Sequence, residues 1–430
     1  MEASGALATA GGEATSRRQA MEELGRRARA VAPLLAATPT DRKNGALLAA
    51  ADGLQSHAED LLEANEGDLA AAKEAGISAT LLDRLRLTPA RIDGMAGGLR
   101  QVADLPDPVG TVIASDVRPN GLRIEQVRVP LGVVAIVYES RPNVTSDAAG
   151  LCLKSGNVAF LRGSSMAIRS NLAIAEVLRR SYEACDVPAD ALILVEDTSR
   201  EAAVEFMRLS DYVDCLIPRG GPALIRSIME NATVPFILDG DGNCHVYVDR
   251  TADLDMAEAI VVNGKTQRPS VCNATESIVL HAEVAAEVLP RLVRAMPTVE
   301  MVGDETSRAL APSVGEADEA DYGTEFLDYK LSVRVVDSLD AAIDHVNHYG
   351  TRHSEVIVTA DEDSARRFCA EVDAACVLVN ASSRFVDGEE MGYGAEIGIS
   401  TQKLHVRGPM GLVHLTAVKN VIRGDGQIRP

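Results

Sequence analysis

A change of period near residue 133 constrains this chain more than any other feature. Upstream, over residues 17–105, apolar side chains recur every three or four positions among abundant Ala, Leu, Glu and Arg, which predicts helices. Thr88-Pro89 there reads as an N-cap and the first helical position. Downstream, short unbroken apolar runs alternate with helical stretches. VVAIVY (Val133–Tyr138) is such a run, and its lack of polar alternation suits a strand buried on both faces. VAFLRG, ALILVED, DCLIPRGG, FILDG and HVYVD continue the series, with helices between most of them. SIVLH, VEMVG, SVRVVDS, EVIVTA and ACVLVN make a second series of similar size. This alternation predicts an α/β protein of right-handed βαβ units with parallel, doubly wound sheets.

Three stretches stand outside that pattern. The first 15 residues, rich in Ala, Gly, Ser and Thr, are expected to form an unstructured tail. VIASDVRPNGLRIEQVRVP (residues 112–130) has two alternating arms around Asn120-Gly121, the signal of a hairpin with a two-residue type I′ turn. A lone ribbon is marginal in water, so it is expected to pack on another subunit or on its own domain. LTAVKNVIRG offers one more strand near the C-terminus.

Composition excludes several functions. The net charge is −21 over 430 residues, so nucleic acid and anionic membrane surfaces are not expected partners. The chain has no Trp and only 3% aromatics, too few for base-stacking platforms. No apolar run approaches about 18 residues, and the N-terminus lacks the layout of a signal peptide. The seven cysteines include no close C-x-x-C pair, which fits a reducing cytoplasm rather than a disulfide framework or zinc ribbon.

Chemistry concentrates in NGKTQRPSVCNATES (residues 263–277). It holds Cys272 in a polar segment, with Lys265 and Arg268 upstream. A free thiol has a pKa near about 8.5, and nearby positive charge or backbone N–H groups favour the thiolate. Gly264-Lys265-Thr266 is not a P-loop: Ala259 stands where the first glycine belongs, and a helix rather than a strand precedes it. No G-x-G-x-x-G or G-x-S-x-G occurs. Arg162-Gly163-Ser164-Ser165 and Arg219-Gly220-Gly221-Pro222 each put a cation and small residues where a strand gives way to a helix, a place suited to phosphate. His345, His348 and His353 read as a solvated helix end, and no metal site is expected. Cys369 and Cys376 are expected to point into the second core.

Five strings carry a resemblance: PLGVVAIVYESRPNVTSDAAGLCLKSGN, KTQRPSVCNATES, GNCHVYVD, NASSRF and GAEIGISTQKLHVRGPMGL. With them the chain resembles the aldehyde dehydrogenase superfamily, and within it the branch that reduces L-glutamyl 5-phosphate. The resemblance implies a cofactor domain (residues 1–111 and 131–238, with the N-terminal helices) and a catalytic domain (239–380). It also implies an oligomerisation hairpin and C-terminal segment (112–130 and 393–430). It implies NADPH-dependent formation of L-glutamate 5-semialdehyde in the cytoplasm, the second step of proline biosynthesis from glutamate. The partners it implies are a homodimer or homotetramer and channelling from glutamate 5-kinase. By the same resemblance Cys272 is the nucleophile, and Asn143 shares the oxyanion hole with the Cys272 N–H. Arg162, Gly163, Ser164 and Ser165 line the adenosine side of NADPH. Gly220 and Gly221 face its pyrophosphate, and Glu325 holds the nicotinamide ribose. Arg141, Lys265 and Arg268 are candidates for the substrate's carboxylate or phosphate. One departure stands out: Leu238 and Asp239 occupy the place of an E-T pair in the branch, with Asp239 as the stand-in for the acid. Another acyl-phosphate or acyl-CoA aldehyde reductase, or a binding protein on the same fold, remains an alternative.

Overall fold

The computed structural model describes residues 2–139, 141–238 and 240–429. The chain forms two compact units, Met1–Ile237 with Gly411–Pro430, and Leu238–Met410. Residues 393–410 therefore group with the second unit, while the hairpin and the last twenty residues group with the first.

The first unit opens with helices α1 (Glu2–Ala36), α2 (Thr40–Ser56), α3 (Ala58–Glu74), α4 (Ala79–Leu85) and α5 (Pro89–Asp104). The expected tail is instead the start of α1; alanine is the strongest helix former and outweighs the glycines there. Helix α5 starts as the sequence predicts, with Thr88 Oγ1 accepting the Arg91 N–H at 3.2 Å and Pro89 next. Strands β1 (Val112–Val117) and β2 (Arg123–Pro130) form the antiparallel hairpin. Its turn differs from the expected type I′. The Gly121 N–H closes on the Arg118 carbonyl at 2.8 Å, and only Gly121 has a positive φ, of 88°. Pro119 causes the change, because its ring fixes φ negative and starts the turn one residue early. The C-terminal strand Thr416–Arg423 pairs with β2 and makes the sheet three-stranded.

Then βαβ units follow: β3 (Val133–Tyr138), α6 (Asn143–Lys154), β4 (Val158–Arg162), α7 (Ile168–Glu183), β5 (Leu192–Leu194), α8 (Arg200–Met207), β6 (Cys215–Arg219) and α9 (Pro222–Asn231). The sheet is parallel, in the order β5-β4-β3-β6, and β3 is buried along its whole length. FILDG does not form a full strand. Only Phe236 bridges to Leu216, since Pro235 before it lacks an N–H for the ladder.

The second unit contains β7 (Cys244–Val248), α10 (Leu254–Thr266), β8 (Thr275–His281), α11 (Ala282–Ala295), β9 (Glu300–Gly303), α12 (Glu305–Leu310), β10 (Gly315–Glu316) and α13 (Glu319–Tyr322). It continues with β11 (Lys330–Val336), α14 (Leu339–Tyr349), β12 (Ser354–Val358), α15 (Glu362–Glu371) and β13 (Cys376–Val379). Seven parallel strands lie in the order β10-β9-β11-β8-β7-β12-β13. Alternate residues face opposite ways, the strand period of two. Val246, Val248, Ile278 and Leu280 pack under α10 and α11, while Tyr247, Val279 and Ile357 pack under α14 and α15. Both faces are covered, as the unbroken apolar runs require.

Several expectations are corrected here. His345 and His353 are buried rather than solvated. The ring of His345 packs on Tyr349 with centroids 4.7 Å apart, and His353 Nδ1 lies 2.7 Å from Ser354 Oγ. Cys369 is exposed and Cys376 only partly covered. Among the described residues no helix is long and apolar enough to cross a membrane.

Candidate active site

Cys272 lies in the connection from α10 to β8 and is partly exposed. Its carbonyl is fixed from below by the Cys244 thiol, which donates to it at 3.1 Å. Gly242 passes so close that a Cβ there would sit 1.5 Å from the same carbonyl oxygen, so only glycine fits. Glu325 Oε1 accepts the Gly242 N–H at 2.7 Å and pins that approach. The next residue, Asn273, donates Nδ2 to the Val386 carbonyl at 2.8 Å and accepts Ser383 Oγ–H at 2.7 Å. A short 3₁₀ turn, Ser383–Phe385, is thereby tied to the cysteine loop. Arg384 on that turn donates Nε to Gln267 Oε1 at 2.8 Å. Burial and the neighbouring Arg268 hold its guanidinium below the usual arginine range. Arg268 itself is exposed.

Lys265 is corrected as a substrate contact. It is fully buried, and its ammonium donates to Glu276 Oε2 at 2.6 Å. Burial pushes Glu276 up to about 7 against the pull of Lys265, and its other oxygen accepts the Leu327 N–H at 3.2 Å. Gly264, the glycine of GKT, lies against Thr275: a Cβ would meet Thr275 Oγ1 at 2.2 Å. The P-loop-like string is thus a helix packed on a strand. A second buried pair, His245 Nδ1 and Glu355 Oε2 at 3.0 Å, lies two strands wide across β7 and β12. Leu238, at the departure from the branch pattern, donates its N–H to Gln402 Oε1 at 2.9 Å. Asp239 lies outside the described residues.

In the first unit the remaining candidates gather at the C-terminal ends of β3, β4 and β6. Asn143 is the first residue of α6, and Pro142 holds the cap position. Its Nδ2 donates to Asp147 Oδ2 at 2.8 Å, one helical turn on. Burial raises the Asp147 carboxyl to about 6, opposed by Asn143 and Arg219. Arg162 spends Nη2 on the carbonyls of Thr198 and Ser199, at 2.7 and 3.0 Å, and its buried Nε has no partner. Gly163 lets the chain pass Asn171 and Tyr138, Ser164 Oγ caps the following turn, and Ser165 is exposed. The Gly221 N–H donates to Glu139 Oε2 at 3.1 Å, so a carboxylate sits at the start of α9. A Cβ on Gly221 would meet nothing within 4 Å. Arg141 is exposed in the turn before α6.

Three of these neighbours were missed by the sequence reading. Arg384 stood inside the quoted NASSRF string, and Asp147 stood one turn after Asn143 on the same helix face, the spacing that lets two side chains meet. Glu139 is the first polar residue after the buried β3 run.

The aldehyde dehydrogenase family profile matches residues 9–322. The gamma-glutamyl phosphate reductase of Moorella thermoacetica is 56% identical over 407 residues, covering 94% of this chain and 97% of that protein. The reductase of the same name from Carboxydothermus hydrogenoformans is 54% identical, covering 94% and 98%. The crystal structure of gamma-glutamyl phosphate reductase from Thermotoga maritima superposes with a TM-score of 0.94 at 44% identity, covering 95% of this chain and 100% of that one. A glyceraldehyde-3-phosphate dehydrogenase of Methanocaldococcus jannaschii complexed with NADP shares the fold, at 16% identity and a TM-score of 0.66, covering 95% of each chain. The chain belongs to the aldehyde dehydrogenase family and, within it, to the gamma-glutamyl phosphate reductases.

Proposed function

We propose that this oxidoreductase reduces L-glutamyl 5-phosphate to L-glutamate 5-semialdehyde and phosphate, with NADPH as reductant and a Cys272 thioester as intermediate. The observation that carries the reading is Cys272 itself: partly exposed, its backbone clamped by Cys244 and Gly242, with Arg268 four residues before it. The Cys272 thiolate attacks the γ-acyl carbon, and phosphate leaves with the bonding electrons. The tetrahedral oxyanion takes hydrogen bonds from the Cys272 N–H and from Asn143 Nδ2, each donor commonly worth about 3–4 kcal/mol. Asn143 has two amide hydrogens; one is held by Asp147, which leaves the other for the oxyanion. NADPH, when bound, supplies the hydride that turns the thioester into a thiohemiacetal, which collapses to the aldehyde and frees the thiol.

The residues present fit that cofactor. The start of α9 already accepts an anionic group, the Glu139 carboxylate, and Gly221 leaves open space beside it. Gly220 and Gly221 would hold the pyrophosphate, Arg162, Gly163, Ser164 and Ser165 the adenosine side, and Glu325 the nicotinamide ribose. Arg141 and Arg268 are assigned to the substrate's anionic groups. An acyl-phosphate reductase needs no water-activating base, so the departure at Leu238 and Asp239 is compatible with the chemistry.

The three-stranded sheet exposes Val418 and Ile422 on one face and Val112 and Val117 on the other, apolar positions suited to a homodimer or homotetramer. A cytoplasmic location and delivery of the labile acyl phosphate from glutamate 5-kinase complete the reading. The test is NADP reduction with glutamate 5-semialdehyde. We expect turnover that depends on added phosphate and exceeds turnover with aspartate semialdehyde; phosphate-independent turnover sinks the proposal.

A further inference from the structure

We propose that Arg384 and the cavity beside it hold the amino-acid head of the substrate, the α-carboxylate on Arg384 and the α-ammonium on the acidic wall. The inference rests on the reading above, in which Cys272 is acylated by a γ-glutamyl group. Three observations carry it.

The first is position. Ser383 Oγ donates to the Asn273 carbonyl at 2.7 Å, and Asn273 Nδ2 donates to the Val386 carbonyl at 2.8 Å. Residues on both sides of Arg384 are thus bonded to the residue that follows Cys272. Gln267, five residues before Cys272, takes the Nε–H of Arg384 at 2.8 Å. The guanidinium is anchored to the nucleophile's own loop from two directions.

The second is unfilled capacity. One edge of the Arg384 fork is used on Gln267, and the terminal nitrogens have no hydrogen-bond partner among the described residues. Arg268 is close enough to repel Arg384. Asp387 offsets part of that repulsion, and the guanidinium fork still matches a carboxylate with two parallel hydrogen bonds.

The third is the shape and charge of the space. A cavity of about 340 Å³ is lined by Gln267, Arg384, Phe385, Asp387 and Glu390, among others. Its lining combines one cation, Arg384, with the acids Asp387, Glu389 and Glu390 and the exposed ring of Phe385. A zwitterionic head presents a carboxylate and an ammonium a bond or two apart, with an aliphatic chain leading away. Simple aldehydes and acyl-CoA lack that pairing, so this cavity selects the glutamyl group from other acyl donors.

The test compares three aldehydes with NADP and phosphate: glutamate 5-semialdehyde, 5-oxopentanoate (no amine) and pentanal (neither group). Wild type is expected to prefer them in that order by kcat/KM. Arg384→Met is expected to raise KM roughly 10- to 100-fold for the two carboxylate-bearing aldehydes, the range of a lost charged hydrogen bond, and to leave pentanal within about twofold. Arg384→Lys restores part of the loss. Asp387→Asn is expected to erase the preference for glutamate 5-semialdehyde over 5-oxopentanoate while keeping that for 5-oxopentanoate over pentanal. Equal losses on all three aldehydes overturn the inference, as does a raised KM for phosphate with unchanged aldehyde preference. A wild type with no preference for 5-oxopentanoate over pentanal also overturns it, without any variant having to fold. Absence of wild-type turnover with glutamate 5-semialdehyde overturns the underlying reading as well, which separates the two failures.

Discussion

The two parallel sheets carry their polar chemistry at opposite strand ends. In the four-stranded sheet the strands VVAIVY, VAFLR, LIL and CLIPR are apolar until they close on Arg162 and Arg219 at their C-terminal ends. In the seven-stranded sheet three ionisable residues come second in their strands: His245 in β7, Glu276 in β8 and Glu355 in β12. All three are buried. The difference follows from what each edge can offer a ligand. At the C-terminal edge of a parallel sheet, helix N-termini supply N–H donors, so the first unit needs only small residues and an arginine to receive an anion. At the N-terminal edge no such donors converge. The second unit therefore surrounds the cysteine loop with side-chain pairs, because an unpaired buried charge is costly.

The largest expected effect separates chemistry from scaffold. Cys272→Ala is expected to remove phosphate-dependent turnover altogether while leaving both sheets intact, as read by thermal melting; residual turnover above about one part in a thousand would remove the nucleophile assignment. Glycine substitutions sharpen the contrast between the units. Gly242→Ala places a Cβ 1.5 Å from the Cys272 carbonyl, so it is expected to displace the loop and cost most of kcat. Gly221→Ala meets nothing within 4 Å, and any loss there is expected in KM for NADPH alone. Steady-state kinetics with each substrate varied tells the two patterns apart.

Buried pairing comes next in size. Lys265→Met leaves Glu276 alone in the interior and is expected to destabilise the second unit by about 3–5 kcal/mol, while Lys265→Met combined with Glu276→Leu recovers most of that. The exposed pair Arg27–Asp190 in the first unit, also at 2.6 Å, is expected to cost under about 1 kcal/mol when broken. Urea denaturation of the four proteins measures the difference. A double variant no more stable than Lys265→Met would mean that the Lys265 stem, not its charge, matters.

Much of this was legible in the sequence, for reasons visible in particular residues. Strand–helix alternation was readable because VVAIVY and its successors are apolar runs with few alternatives, and Thr88-Pro89 because cap chemistry is local. The buried pairs were not readable. Lys265 and Glu276 are 11 positions apart, and His245 and Glu355 are 110 apart, so each looks like a surface charge until the fold brings its partner. The hairpin was legible, yet its turn was not read correctly because Pro119 outweighed the Asn120-Gly121 signal. Cys272 stands out in the sequence by its polar, cationic setting. Arg384 was passed over because it owes its place to hydrogen bonds made by Ser383 and Asn273, not to its own spacing.

The smallest expected effect concerns pH, and it again divides the units. His353 is buried with its Nε2 unpartnered, and burial pulls it down to about 4; burial likewise pulls His345 down to about 3. In the first unit His57 is exposed. Histidine in an unfolded chain titrates near about 6.5. As pH falls below that value the unfolded chain binds protons that the folded second unit refuses, so stability is present above about 6.5 and is lost as pH falls towards 4. At pH 5.5 each such histidine is expected to cost about 1.4 kcal/mol relative to pH 7.5. His353→Gln is expected to be less stable than wild type at pH 7.5, where it loses the Ser354 contact, but to shift less between the two pH values. Urea midpoints at both pH values decide the matter, and an equal shift in wild type and variant would show that His353 is protonated in the folded state.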